Sequence, residues 1–249
     1  MANDDSYIEF KNYFDIHAHI LPEVDDGATD LTETVNMLKL AASENITTII
    51  ATPHYVCGRN NPEPDYLEKL RLRVQKEAYD INKDMRILLG NEIFYSESVI
   101  EDLKRGKALT LAGSRYVLVE FSISESYNTI YNAVTKLVNN GYWPVLAHAE
   151  RYICLHKRTD LIKELIKAGC YIQVNASGIV GNILNSKAVY LRKLISSGLV
   201  HFLGSDCHDC NIRPPIMETA VRYMIKKCDI NLSEILYENP FKILENNYI

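Results

Sequence analysis

The 249-residue chain contains no run approaching the roughly 18 apolar residues that a membrane span needs, so no direct membrane insertion is expected. It also lacks an excess of basic side chains. Its 27 Lys and Arg stand against 32 Asp and Glu, and a net charge of −5 argues against nucleic acid as a partner. A small cationic site is still compatible with that balance. The opening residues, MANDDSYIEFKNYF, are acidic and carry no apolar signal-peptide core. Six cysteines fall without regular spacing, which excludes a disulfide framework and reads as reduced thiols in a cytoplasmic protein. No Pro/Ser-rich linker, low-complexity tract or composition break divides the chain, so one domain over residues 1–249 is expected.

What is present is an alternation of helical and strand-like patterns. The segment DLTETVNMLKLAASENI places Leu31, Val35, Leu38 and Ala42 at helical spacing behind an Asp30/Glu33 capping pattern. TTIIAT follows, β-branched and stopped by Pro53. Later, three helical stretches end at Gly141, Gly169 and Gly198, where a C′ glycine belongs, and each gives way to an apolar run. Seven strand-like runs separated by helices predict a parallel sheet covered by helices. Their number favours a closed barrel, a (β/α)7 TIM-like architecture, over an open doubly wound sheet.

The unusual polar residues sit at the ends of those runs. His17 and His19 close the first, with period-two alternation directing both to one face. His54 closes the second, Glu92 follows the third, Glu120 closes the fourth and His148 the fifth. Asp206 and His208, again spaced i, i+2, close the seventh. Only the sixth, ending at Asn175, offers no obvious ligand, and neither Asn175 nor the nearby Ser177 receives a role. Barrels of this kind share one rim at their C-terminal strand ends, where active sites are built. Imidazoles with carboxylates and no matched thiolates suit Zn, Mn or Fe. Any one of these residues alone reads more simply as a hydrogen-bonded histidine, a salt-bridged acid or a turn former. Six ends out of seven carrying such groups favour the joint reading.

The stretches DIHAHILPEVDDG, ATPHY, GNEIFY, LVEFS, LAHAERY and SDCHDCNIRPP resemble the PHP (polymerase and histidinol phosphatase) superfamily. Within it they are similar to bacterial protein-tyrosine phosphatases of capsular and exopolysaccharide biosynthesis clusters. The match leaves only residues 1–12 outside, as an N-terminal extension. The resemblance implies a distorted seven-stranded α/β barrel with up to three divalent ions, usually manganese, with zinc or iron as alternatives. It implies that His17, His19, Glu92 and Asp206 hold the first ion. Glu92, Glu120 and His148 would hold the second, and Asp26, His54 and His208 the third. Asp26 is carried over rather than Asp25 because it adjoins the glycine. Arg151 and Arg213 match two arginines that face phosphate. Four carboxylates against three divalent ions leave about +2 in the site, a charge suited to phosphate. Such ions activate a water for in-line attack. The implied partner is a membrane-associated bacterial tyrosine autokinase with a tyrosine-rich tail.

Tyr55, Tyr95 and Tyr152 lie beside rim residues and could line a groove for a tyrosine ring or simply pack the barrel. Cys207 and Arg213 have the C-x5-R spacing of cysteine-dependent phosphatases, but the loop has no glycine and Arg213 runs into two prolines. Two other readings stand beside the tyrosine phosphatase. One is a phosphoesterase for a small phosphomonoester such as histidinol phosphate or a nucleotide. The other is a non-catalytic, metal-binding structural module.

Overall fold

The computed structural model describes residues 11–182, 184–228 and 231–249. Residues 1–10 of the expected N-terminal extension lie outside the described residues. Strands and helices alternate from one end to the other. The strands are β1 (Tyr13–Ala18), β2 (Ile46–Ala51), β3 (His54–Val56), β4 (Arg86–Leu89), β5 (Glu92–Phe94), β6 (Tyr116–Glu120), β7 (Trp143–Leu146), β8 (Tyr171–Asn175) and β9 (Phe202–Gly204). They form two parallel sheets, in the orders β1-β2-β4 and β3-β5-β6-β7-β8-β9. Two of the seven expected runs are therefore each divided in two, at Thr52-Pro53 and at Gly90-Asn91. Pro53 has no amide hydrogen to give a ladder, which accounts for the first interruption. At the other edge, Ala18 makes a parallel bridge with Cys207, beyond the end of β9.

The local signals act as the sequence suggests. Asp30 caps the helix Leu31–Ser43 by accepting from the Glu33 amide at 2.8 Å. Glu33 reaches back one residue further than an ideal capping box, to the Thr29 amide at 2.8 Å. Gly141, Gly169 and Gly198 follow helices with φ of 84°, 96° and 66°, the left-handed geometry that lets the chain turn into the next strand.

Helix faces such as Leu67, Leu70, Val74 and Ala78 bury against the strands in the main core. A second apolar cluster takes Ile16, Ile50, Leu118, Val145 and Phe202, one from each of five strands. β1, β6 and β8 are buried on both faces, as a helix-covered parallel sheet requires. Among the described residues, no helix is long and apolar enough to cross a membrane.

Candidate metal centre

The C-terminal ends of the strands bring together nearly all the polar residues singled out from sequence. His17 sits near the end of β1, and His19 lies just beyond it. Their Nε2 atoms face each other at 3.2 Å. Both approach Glu92 Oε2, at 3.1 and 3.2 Å, and Asp206 Oδ1, at 3.4 and 3.6 Å. All four side chains are almost fully buried. Such a concentration of acceptors needs a proton or a cation at its centre.

Glu92 is the hub. Its Oε1 lies 2.8 Å from His148 Nε2, and its Oε2 lies 3.2 Å from His54 Nδ1. Glu120 stands 3.3 Å from His54 Nδ1 and 3.6 Å from His148 Nε2. Asp26 Oδ1 approaches His54 Nε2 at 3.3 Å and His208 Nε2 at 3.4 Å. Among the described residues, ligand atoms within metal-sharing distance fall into three sets: His17, His19, Glu92 and Asp206; His54, Glu92 and Glu120; and His19, Asp26, His54 and His208. The first set is the one expected. In the second, His54 converges where His148 was expected, although His148 still touches both carboxylates. In the third, His19 joins the expected residues.

The donor chemistry fits divalent cations. His208 Nδ1 lies 2.9 Å from the Asp206 carbonyl and donates to it, which leaves its buried Nε2 with a lone pair and no hydrogen-bond partner, only the Asp26 carboxylate nearby. Burial, and then the neighbouring His19, push the His208 pKa down to about 4, so that lone pair is retained at neutral pH. Burial also disfavours charge on His19 and His148, but contacts with Asp25, Glu92 and Glu120 outweigh it and raise both to about 10. Burial disfavours the Asp206 carboxylate too, yet the surrounding imidazoles and Arg151 hold it at about 2.

Arg151 and Arg213 stand at the mouth, partly exposed, each leaning on a site carboxylate. Arg151 Nη2 donates to Asp206 Oδ2, and Arg213 Nη2 donates to Asp26 Oδ2 at 3.1 Å. Two strand-end residues, His148 and Asp206, adopt left-handed backbone angles with φ of 33° and 54°. Such conformations are costly outside glycine and are retained where surrounding contacts fix them.

The acidic turn owes its glycine to crowding. A Cβ on Gly27 would lie 2.2 Å from the His19 carbonyl oxygen and 2.6 Å from His19 Cβ. The supporting residues were less visible from sequence. Asp25 accepts from His19 Nδ1 at 2.7 Å and from the His54 amide at 3.1 Å. Asp15 is fully buried and accepts from the His17 and Ser205 amides at 3.2 and 2.8 Å. Tyr55 and Tyr152 are both buried, yet each borders a cavity, Tyr152 the one that opens beside Arg151. Tyr55 donates to Asp102 at 3.0 Å, and the buried Tyr152 hydroxyl accepts from the Phe121 amide at 3.1 Å. Tyr95 stacks at a tilt near Phe121.

Cys207 is buried, and burial, then Asp15, push its thiol far above its ordinary value. It therefore lacks the stabilised thiolate that nucleophilic attack requires.

A mixed α/β protein with parallel sheets and a buried imidazole–carboxylate cluster of metal-holding type is thereby defined. Residues 13–245 match the family described as capsular polysaccharide synthesis, CpsB/CapC, and the chain belongs to that family. It is 32% identical over 241 residues to the tyrosine-protein phosphatase CpsB of Streptococcus agalactiae, covering 94% of this chain and 99% of the relative. It is 30% identical to the tyrosine-protein phosphatase YwqE of Bacillus subtilis, covering 94% and 92%. A solved structure from a study of YwqE from B. subtilis and CpsB from Streptococcus pneumoniae, described as metal-dependent tyrosine phosphatases, aligns with TM-score 0.84 at 32% identity. That alignment covers 95% of this chain and 96% of the other.

Proposed function

We propose that this chain is a metal-dependent protein-tyrosine phosphatase, a phosphoric monoester hydrolase using two or three Mn²⁺ ions. The observation that carries the reading is the convergence of His17 Nε2, His19 Nε2, Glu92 Oε2 and Asp206 Oδ1 in one buried cluster. These four would hold the first ion. Glu92, Glu120 and His148, with His54 close by, would hold the second, and Asp26, His54 and His208 the third. Imidazole and carboxylate donors without thiolate suit Mn²⁺, with Zn²⁺ or Fe as alternatives.

When bound, the ions supply positive charge that acidifies water and draws in phosphate oxygens. The chain's own residues do the rest. Arg151 and Arg213, at the mouth, bind the phosphate and stabilise charge on its equatorial oxygens during transfer. Asp206 and Asp26 hold the two guanidiniums in place before substrate arrives. A cavity of about 700 Å³ opens beside Arg151, lined in part by Ile123, Ile153 and Tyr190. Its apolar wall supports an aryl ester over a small polar phosphomonoester.

The names of the two relatives support phosphotyrosine on protein as the substrate. The tyrosine-rich tail of a bacterial autokinase controlling capsular or exopolysaccharide synthesis is the partner proposed, in the cytoplasm. For the scaffold we infer one domain and a seven-stranded barrel. Counting β2 with β3 and β4 with β5 as single interrupted strands supports this, as does the Ala18–Cys207 bridge between the chain's first and last strand regions.

Metal-stripped protein assayed with and without added Mn²⁺, on phosphotyrosine peptides, histidinol phosphate and nucleotide monophosphates, tests the reading. Mn²⁺-dependent hydrolysis strongest on phosphotyrosine peptides is expected. A preference for the small phosphates would reassign the substrate, and Mn²⁺ binding without any hydrolysis would leave a structural module.

A further inference from the structure

The strand with no obvious ligand, β8, carries two fully buried amides, Gln173 and Asn175, on one face beneath the metal cluster. The backbone N–H of His148 can only donate, and it lies 2.7 Å from Gln173 Oε1, which fixes the oxygen end of that amide. The same oxygen lies 3.2 Å from His17 Nδ1, so that ring nitrogen must carry the proton. Gln173 Nε2 is then the donor to Asn175 Oδ1 at 3.0 Å, and Asn175 Nδ2 is the donor to Asp206 Oδ2 at 2.8 Å. One obligate backbone donor thus sets every polarity along a chain that ends on two residues of the cluster.

The consequences meet at the same point. Protonated at Nδ1, His17 presents its lone pair at Nε2, the atom 3.1 Å from Glu92 and 3.4 Å from Asp206. With Oδ2 engaged by Asn175 and Arg151, Asp206 presents Oδ1. Gly204 leaves room for the contact, because a Cβ there would lie 2.6 Å from His17 Cβ and 2.9 Å from Gln173 Nε2.

We propose that Gln173 and Asn175 are positioning residues that select the Nε2-presenting tautomer of His17 and the Oδ1-presenting orientation of Asp206, and so set the affinity of the first metal position. This rests on the metal reading above. It goes beyond it by giving a role to a strand that supplies no ligand. Partners of this kind, one shell out from a metal, commonly carry about 10- to 100-fold in affinity.

The test measures Mn²⁺ affinity by competition against a chelator in wild type, Gln173→Met and Asn175→Ala, beside thermal melting of each metal-free protein. Both variants should bind the tightest Mn²⁺ about 10- to 100-fold more weakly. Gln173→Met should be the weaker binder, since it releases both His17 and Asp206. Nitrogen-15 spectra of the metal-free proteins should show the His17 tautomer disturbed by Gln173→Met and not by Asn175→Ala. If Gln173→Met does not fold, Asn175→Ala still reads the Asp206 branch alone. Wild type that binds no Mn²⁺ would sink the metal reading itself. Wild type that binds, with folded variants matching its affinity, would sink the relay and leave the metal reading standing.

Discussion

Asp25 Oδ2 lies 2.7 Å from His19 Nδ1, and this contact gives a role to the acid that the resemblance left without one. Asp25 is turned inward. Its other oxygen accepts from the Gly27 amide at 3.0 Å, and burial together with the opposing His19 contact leaves its pKa at about 2. Asp26, one residue on, is exposed and reaches His54, His208 and Arg213 instead. The first acid orients a proposed ligand, whereas the second is itself positioned to be one.

Asp25→Asn and Asp26→Asn should therefore fail differently. Asp25→Asn should weaken the tightest Mn²⁺ class by about 10-fold or more, because His19 loses the partner that fixes its ring. Asp26→Asn should leave that class intact and lower the number of ions held. Metal analysis across a titration distinguishes them, and the reverse pattern would exchange the two assignments.

The legible part of this site was its rim. Histidines and acids at strand ends stand out because apolar runs surround them, and period-two alternation correctly paired His17 with His19 on one face. The interruptions at Pro53 and Gly90 were partly legible too, since Pro53 is a visible breaker. The support beneath the rim was not. Gln173 and Asn175 look like ordinary polar interruptions in YIQVN, and only the distance to His148, 25 positions earlier, gives the glutamine meaning. Asp15 reads as part of a strand start, yet it ties β1 to Ser205, 190 positions away. Contacts across such separations follow from the packing of distant strands and leave no local pattern. The tyrosines divide, because nearness in sequence to a rim residue places Tyr152 at the cavity beside Arg151 but Tyr55 at a different one.

Arg151→Ala and Arg213→Ala should keep their metal and lose turnover. Each guanidinium touches a carboxylate through one side-chain nitrogen and retains other donors for phosphate. An interaction that strengthens as charge develops lowers kcat rather than only raising KM, and loss of one such donor costs about 100- to 1,000-fold. Steady-state kinetics on a phosphotyrosine peptide, read beside metal content, checks this. A change in KM alone would make that arginine a docking residue.

His201 should impose an acid limit on stability that is separate from the metal centre. Its Nδ1 accepts from the Ile172 amide at 3.0 Å, and burial pushes its pKa down to about 4. An unfolded histidine titrates near 6.5, so as pH falls the unfolded chain takes up this proton first. The full contribution is present above about pH 6.5 and is lost progressively towards pH 4, by at most about 3 kcal/mol. Denaturant unfolding of metal-free wild type and His201→Asn across that window should show a shallower acid limb in the variant. Parallel curves would mean that His201 does not report on folding.

Cys207→Ser and Asp206→Ala separate the two phosphatase chemistries that the sequence SDCHDCNIR admits. Cys207 packs in the core, its carbonyl accepts from the His19 amide at 2.9 Å, and its raised pKa denies it a thiolate. Serine there buries a hydroxyl beside Ser205. It should cost about 1–3 kcal/mol of stability while most of the activity remains. Asp206→Ala should instead abolish turnover and empty the first metal position, because Oδ1 faces His17 and His19 and Oδ2 holds Arg151. A cysteine nucleophile would reverse the first result, stopping turnover in Cys207→Ser and leaving a phosphocysteine that can be trapped on wild type. The decisive outcome against the metal mechanism is an inactive Cys207→Ser enzyme with its full Mn²⁺ complement, together with that adduct on wild type.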